Sequence, residues 1–419
     1  MSTVTRPRSE APPPPAAMSR LLGIETPYGK PVTWAEVAMI TDIGTTHAWN
    51  DDRCLVVTFK DLGETTSSPW REFMLCLVAD GATSSSFGPH VDIVETSSGG
   101  RHAGWRASQV AQGAFVVGFM NSQQPDPLDK LRDGLRAADR TIQDANEGSL
   151  QTTLTALFLS ADGTARAASI GDSVLAVLSP EHASKGSKKP KKLGYEDSTA
   201  VGSGQTRSTN INQDQLIETW WPNKEGGSAE SRIQRGTYLV LMSDGISDNM
   251  KIPAIEQLLR RHPLDRVTVG LPKRTRENRE QDQKKSGAST RQNELGLDNM
   301  SAIVVRFDGA RGASRPATVP RLEDASLVCA MGTYGGPEAD SGGQFGLVCL
   351  AGQENGATAA PEFLRQFLES EHRLDVRARI EQAWRGARPS RNQARFSALY
   401  ADDHGLSFTF ANDPARGAR

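Results

Sequence analysis

The sequence predicts an α+β fold built on antiparallel sheets, and three observations predict it. Short apolar runs rich in β-branched residues recur, among them CLVVTF (54–59), FMLCLVA (73–79), TLTALFLS (153–160), RAASI (166–170), VLAVLS (174–179), TYLVLMS (237–243) and SAIVVRF (301–307). Each is bounded by Gly, Asp or Ser, as strands are. Two segments with apolar groups near i, i+3, i+4 spacing, 106–120 and 127–146, both fall between the second and third run. The order is strands, two helices, then strands. It does not alternate as the βαβα units of a doubly wound parallel sheet would.

The elements follow in order. Residues 1–20 contain APPPPAA and few large apolar groups, which predicts a disordered tail; a motif for a proline-binding partner is the alternative. Structure is expected from Val32, with VTWAEVAMITDIG, to residue 308, as one main domain. A short helix is expected at 252–261. Three polar insertions, 181–215, 222–234 and 272–296, are expected to be solvated, mobile loops. The basic runs KGSKKPKK and KRTRENREQDQKK offer a sharper option, an attraction for phosphorylated substrate. A Pro-containing linker, 309–322, then leads to a small α+β domain at 323–413.

Composition narrows the function classes. A net charge of −2 over 419 residues gives no bulk attraction to nucleic acid or to a membrane surface. No apolar run approaches the length that spans a bilayer. The N-terminus lacks the apolar core of a signal peptide, so a cytoplasmic location is expected. Cys54, Cys76, Cys329 and Cys349 each sit in an apolar run without a Cys-x-x-Cys pair, which reads as buried reduced thiols.

The strands repeatedly end in acids. Asp51 and Asp52 precede CLVVTF, Asp80 ends LVAD, Asp172 lies in ASIGDS, Asp244 and Asp248 in LMSDGISDN, and Asp298 precedes SAIVV. Any one of these is ordinary turn chemistry. Their recurrence at strand ends, with few histidines and no cysteine cluster, suits hard divalent cations that prefer oxygen ligands.

Five ordered segments, GTTHAWNDD, VADG, ASIGDS, LMSDGISDN and DNMSAIVV, resemble the metal-dependent PP2C-type (PPM) serine/threonine protein phosphatases, particularly bacterial members. The resemblance spans residues 35 to 308. It implies a four-layer sandwich of two antiparallel sheets flanked by helices. It also implies two, in some members three, Mn²⁺ or Mg²⁺ ions, and a water bridging two of them that attacks phosphoserine or phosphothreonine. Asp51, Asp80, the Gly81 carbonyl, Asp244 and Asp298 would hold the binuclear pair. Asp172 and Asp248 match acids of a third, weaker site, and Asp52 matches an acid that orients water. A phosphorylated protein substrate and a cognate serine/threonine kinase are the implied partners.

Departures matter as well. Where the family carries a phosphate-gripping Arg, this chain has His47. Histidine lacks the bidentate fork, so His47 either gives a weaker, pH-dependent grip or serves packing. Asp51 stands where the family usually has Glu. After Gly81 come Ala82 and Thr83, so the general-acid histidine of eukaryotic members is absent. The second reading, from another class, is a pseudophosphatase or phosphoprotein-binding module with little turnover.

The C-terminal segment carries an internal echo. FGLVCLA (345–351) resembles FMLCLVA (73–79), Met331-Gly332-Thr333 resembles Ile43-Gly44-Thr45, and ARFSALYADDHGLSFTF resembles TTLTALFLSADGTARAASI. Residues 325–413 read either as a degenerate half-copy of the main domain or as an unrelated small domain. In the half-copy Gly352 stands for Asp80, Ala339 for Asp51 and Asp340 for Asp52, so it would bind no metal. Its expected roles are packing on the main domain, protein contacts or dimerisation.

Overall fold

The computed structural model describes residues 32–45, 50–61, 72–81, 103–144, 151–178, 180, 191–193, 218–220, 232–286, 297–309, 325–334, 343–352, 356–369, 379, 382–383, 386, 395–402 and 407–412. The N-terminal tail, the linker after Gly309, His47, Ala339, Asp340 and most of the first two polar insertions lie outside them.

Two antiparallel sheets stack face to face. The smaller sheet has the order β1 (Ala35–Asp42), β10 (Met300–Phe307), β9 (Tyr238–Met242), β6 (Val174–Leu178) and β7 (Lys191–Leu193). The larger has nine strands. Its N-terminal part is β2 (Arg53–Asp61), β3 (Glu72–Ala79), β4 (Leu154–Ser160), β5 (Ala165–Ile170) and β8 (Glu218–Trp220). Its other part is β11 (Ala325–Tyr334), β12 (Gly343–Gly352), β13 (Arg395–Asp402) and β14 (Ser407–Asn412). The described helices are α1 (Ala103–Asn121), α2 (Pro127–Asp144), α3 (Asp244–Ser247), α4 (Ile252–Arg261), α5 (Leu264–Ser286) and α6 (Gly356–Glu369).

The continuous apolar runs have a simple cause: both faces of the larger sheet are covered. Alternate residues of β3 point opposite ways. Phe73, Leu75, Leu77 and Ala79 pack under α1 and α2, with Phe115, Leu131 and Leu135. Met74, Cys76 and Val78 face the smaller sheet, against Met39, Leu241 and Ile303. A third core seals the other side of the smaller sheet, where Val240, Ala302 and Val304 meet Ile255, Leu259, Val267 and Leu271. The layers are therefore helix, sheet, sheet, helix. Cys54 and Cys76 are buried free thiols, as expected. No described helix is long and apolar enough to cross a membrane.

Two expectations change. The stretch from residue 272, read as a loop, is helical as far as Ser286 within α5. Few apolar groups signal it, and Pro272 argues against it. The helix is anchored by buried Leu264, Val267, Leu271 and Thr275. Arg276 pairs with Asp42 at 2.6 Å, and Asn278 donates to the Asn249 carbonyl at 3.2 Å. The C-terminal strands, in turn, are built into the main domain's sheet. β11 pairs antiparallel with β2 from Ser326↔Asp61 to Gly332↔Leu55. Met331 to Thr333 thus lie in a strand beside β2, unlike Ile43 to Thr45, which follow β1.

Read outward from the β2–β11 pair, the sheet runs β2, β3, β4, β5 one way and β11, β12, β13, β14 the other. A helix follows the second strand on each side, α1 after β3 and α6 after β12, and these two helices pack together. Phe363, Leu364 and Phe367 of α6 join the core under α1.

Candidate metal centre

The acids gather at one end of the sandwich. Carboxylate oxygens of Asp80, Asp172 and Asp244 lie within 4.8 Å of one another. They arrive from the end of β3, the β5–β6 turn and the end of β9, so both sheets contribute. Asp298 and Asp52 are close enough to raise the Asp80 carboxyl by their charge, and Asp248 acts likewise on Asp244.

Backbone crossings make this convergence possible. A Cβ on Gly81 would lie 2.2 Å from the Gly104 carbonyl oxygen and 2.8 Å from that of Asp51. A Cβ on Gly245 would lie 2.0 Å from the Asn299 carbonyl oxygen. Each Asp-Gly step is thus a place where another chain segment passes against the backbone, and no side chain fits there. Residue 80 is pinned on both sides: its amide donates to Thr153 Oγ1 (3.1 Å), and its carbonyl accepts from Thr153 N and Thr152 Oγ1 (both 2.8 Å).

Asp51 and Asp52 are each 1% exposed and are held differently. Asp51 Oδ1 accepts the Trp105 amide at 2.9 Å, at the N-terminus of α1, where the helix dipole favours an anion. Its own amide donates to Asn299 Oδ1 (2.8 Å), and its carbonyl accepts from Ser108 Oγ (2.7 Å). Asp52 Oδ2 accepts from Ser243 Oγ at 2.6 Å, and that hydroxyl accepts from Ser301 N at 2.9 Å. Asp172 sits in the trio with Asp80 and Asp244, and Asp51 Oδ1 is tied to the N-terminus of α1. His47 lies outside the described residues.

The electrostatics are those of crowded anions. Burial raises Asp80 and Asp52 well above the usual carboxylate range, and neighbouring aspartates push the same way. Asp244 is pushed up to about 6 by burial, then by Asp298 and Asp172. Arg53, fully buried beside them, is pulled down to about 9 by burial, against the attraction of Asp51 and Asp52. It stays charged at neutral pH.

A divalent cation fits this arrangement. The donors are all oxygens, the set that Mg²⁺ and Mn²⁺ prefer. Asp52 Oδ1 and Asp244 Oδ1 are buried and accept no hydrogen bond among the described residues, which is unusual for a settled protein interior. The raised carboxyls show a repulsion that a cation would relieve.

Sequence reasoning found the acids and missed what holds them. Ser243, Thr153, Asn299 and the Trp105 amide carry no motif of their own. The only available signal for Ser243 was its place beside Asp244 at a strand end.

A helix–sheet–sheet–helix sandwich with an oxygen-only acid cluster at one end defines a phosphatase-like class of metal-binding fold. The family model described as "Protein phosphatase 2C" matches residues 50–266, just over half of the chain, and the chain belongs to this family. Asp298 and the C-terminal strands lie beyond the matched stretch. Among solved structures, the catalytic domain of the serine/threonine protein phosphatase PstP with two manganese ions is 20% identical, covering 65% of this chain and 98% of that one, with a TM-score of 0.39. PstP/Ppp of Mycobacterium tuberculosis is 17% identical over 66% of this chain and 100% of that one, TM-score 0.40. PppA of Pseudomonas aeruginosa is 19% identical over 66% and 99%, TM-score 0.38. No curated protein matches.

Proposed function

We propose that the protein is a phosphatase dependent on Mn²⁺ or Mg²⁺ that hydrolyses phosphoserine and phosphothreonine in proteins. The observation that carries this is the trio Asp80, Asp172 and Asp244, gathered from both sheets in a chain of the protein phosphatase 2C family. Bound divalent cations would supply an activated water and neutralise charge on the phosphoryl oxygens. Asp80, Asp172, Asp244 and Asp298 would hold the cations, with Asp51 and the Gly81 carbonyl at the margin and Asp248 toward a further ion. Asp52, fixed at Oδ2 by Ser243, would offer Oδ1 to a water. His47 is the proposed, weaker grip on the substrate phosphate. A cytoplasmic phosphoprotein, paired with a serine/threonine kinase, is the proposed partner class.

A Mn²⁺ titration coupled to a phosphopeptide assay tests this. Turnover should require the metal. Asp80→Asn should cut it by about a thousandfold, the scale of losing several kcal/mol of charge stabilisation. Unchanged turnover in Asp80→Asn would remove the site. Metal binding without turnover would instead favour the phosphoprotein-binding reading, which His47 motivates.

Residues 325–413 are proposed to be a degenerate half-copy of the main domain. The mirrored strand order supports it, and so does the matching place of Gly352, at the end of β12, and Asp80, just after β3.

A further inference from the structure

One buried charge has no part in the reading above. Arg53 directly follows the two acids and is 2% exposed, among the largest fully buried side chains. A charge in such a place is costly unless it is partnered, and its partners show what it does.

Its Nη1 donates to the Thr333 carbonyl at 3.1 Å. Thr333 is itself buried and lies on β11, one residue past the last ladder pair, Gly332↔Leu55. There the Thr333 hydroxyl takes over from the ladder and accepts the Cys54 amide at 2.9 Å. From the other side, Gln112 of α1 donates to the Arg53 carbonyl at 3.0 Å. Arg53 is therefore gripped by the C-terminal strand and by the helix whose N-terminus holds Asp51. A second cation, from the C-terminal segment, is close enough to act on it by its charge. Arg379 is buried over the Phe367 ring at 4.4 Å and donates to the Phe367 carbonyl at 3.2 Å.

The chain direction gives this weight. Asp51 and Asp52 sit immediately before β2, so a slip of the backbone at Arg53 is passed directly to the segment that carries both carboxylates. Groups behind metal ligands that fix their orientation matter nearly as much as the ligands. We propose that the C-terminal strands act on the acid centre through Arg53, which β11 holds at Thr333, so that Arg53 is a positioning residue for Asp51 and Asp52. The C-terminal segment is then a working part of the centre. This rests on the metal-centre reading.

The test uses the full-length protein and Mn²⁺ alone, measured by calorimetry, with melting curves to establish folding. Arg53→Met should weaken Mn²⁺ binding about tenfold or more. Arg53→Lys should recover part of the loss. Thr333→Val removes the acceptor of the neighbouring Cys54 amide and keeps the carbonyl that holds Arg53, so it should weaken binding by no more than about threefold, the scale of one hydrogen bond. At saturating Mn²⁺, kcat on a phosphopeptide should fall while KM holds. A folded Arg53→Met that binds Mn²⁺ as tightly as the wild type, or more tightly, overturns the proposal, because a mere counter-charge would repel the metal. If Arg53→Met does not fold, a folded Arg53→Lys with full wild-type affinity overturns it instead, because a lysine keeps the charge without the guanidinium's hold on the Thr333 carbonyl. Failure of the wild type to bind Mn²⁺ sinks the metal-centre reading and this proposal together.

Discussion

The two arms of the larger sheet differ in what their strand ends carry. The arm β2–β5 and the arm β11–β14 run outward from a shared pair in the same order, each with a helix after its second strand. On the first arm Asp51 accepts the Trp105 amide at the N-terminus of α1, and β3 delivers Asp80. On the second, β12 ends in Gly352. The comparison separates scaffold from chemistry. A covered strand pair with a helix on top is a packing solution that needs no acid, whereas the acids add repulsion that packing must withstand.

Three measurements would break or sharpen this comparison. The largest effect concerns packing. Phe115 on α1 and Phe363 on α6 are both fully buried in one core. Phe115→Ala and Phe363→Ala should each destabilise by about 3–5 kcal/mol, and both variants should melt in a single transition. A separate early transition in Phe363→Ala would show the second arm to be an independent unit.

The next effect is electrostatic and belongs to the acid centre, where the first arm meets the smaller sheet. Asp244 has its folded-state value near 6, above the unfolded value of about 3.9. The metal-free protein then binds more protons than the unfolded chain between these values, so this contribution to stability is lost as pH rises through that window. Asp52 and Asp80 act in the same direction. Metal-free Asp244→Asn should exceed the wild type by about 2 kcal/mol at pH 7, with the gap closing toward pH 4. Melts at both pH values check it; a constant gap would exclude the crowding.

The smallest effect is on the second arm. Gly352→Asp should add no Mn²⁺ site, because among the described residues the acid trio is that of Asp80, Asp172 and Asp244, on the first arm's side. Calorimetric stoichiometry should equal that of the wild type. An added site would mean that the second arm also gathers acids.

Much of this was legible in the sequence, for identifiable reasons. Strands buried on both faces leave unbroken apolar runs such as FMLCLVA, and acids at their ends leave a readable series from Asp51 to Asp298. Helix α5 was not legible, because four buried side chains and contacts from Arg276 and Asn278 hold it, with little periodicity of its own. The joining of β11 to β2 was also invisible. Strand partners leave no local mark when about 270 residues separate them. At the centre, carboxylates announce themselves by type. Ser243, Thr153 and Asn299 do not, since their roles depend on what the fold brings within reach.

The β2–β11 pairing also bears on how the chain is made. During synthesis β2 emerges about 270 residues before the strand that covers its edge. At ordinary elongation rates that interval is roughly 15–50 s. β1 waits similarly, since Ala35 pairs with Phe307. Both are non-local contacts of the kind that slow folding. Through that interval the nascent chain carries the apolar strand CLVVTF with one hydrogen-bonding edge open, a template for pairing with a neighbouring chain. The last hundred residues thus close a seam that stays open for most of synthesis.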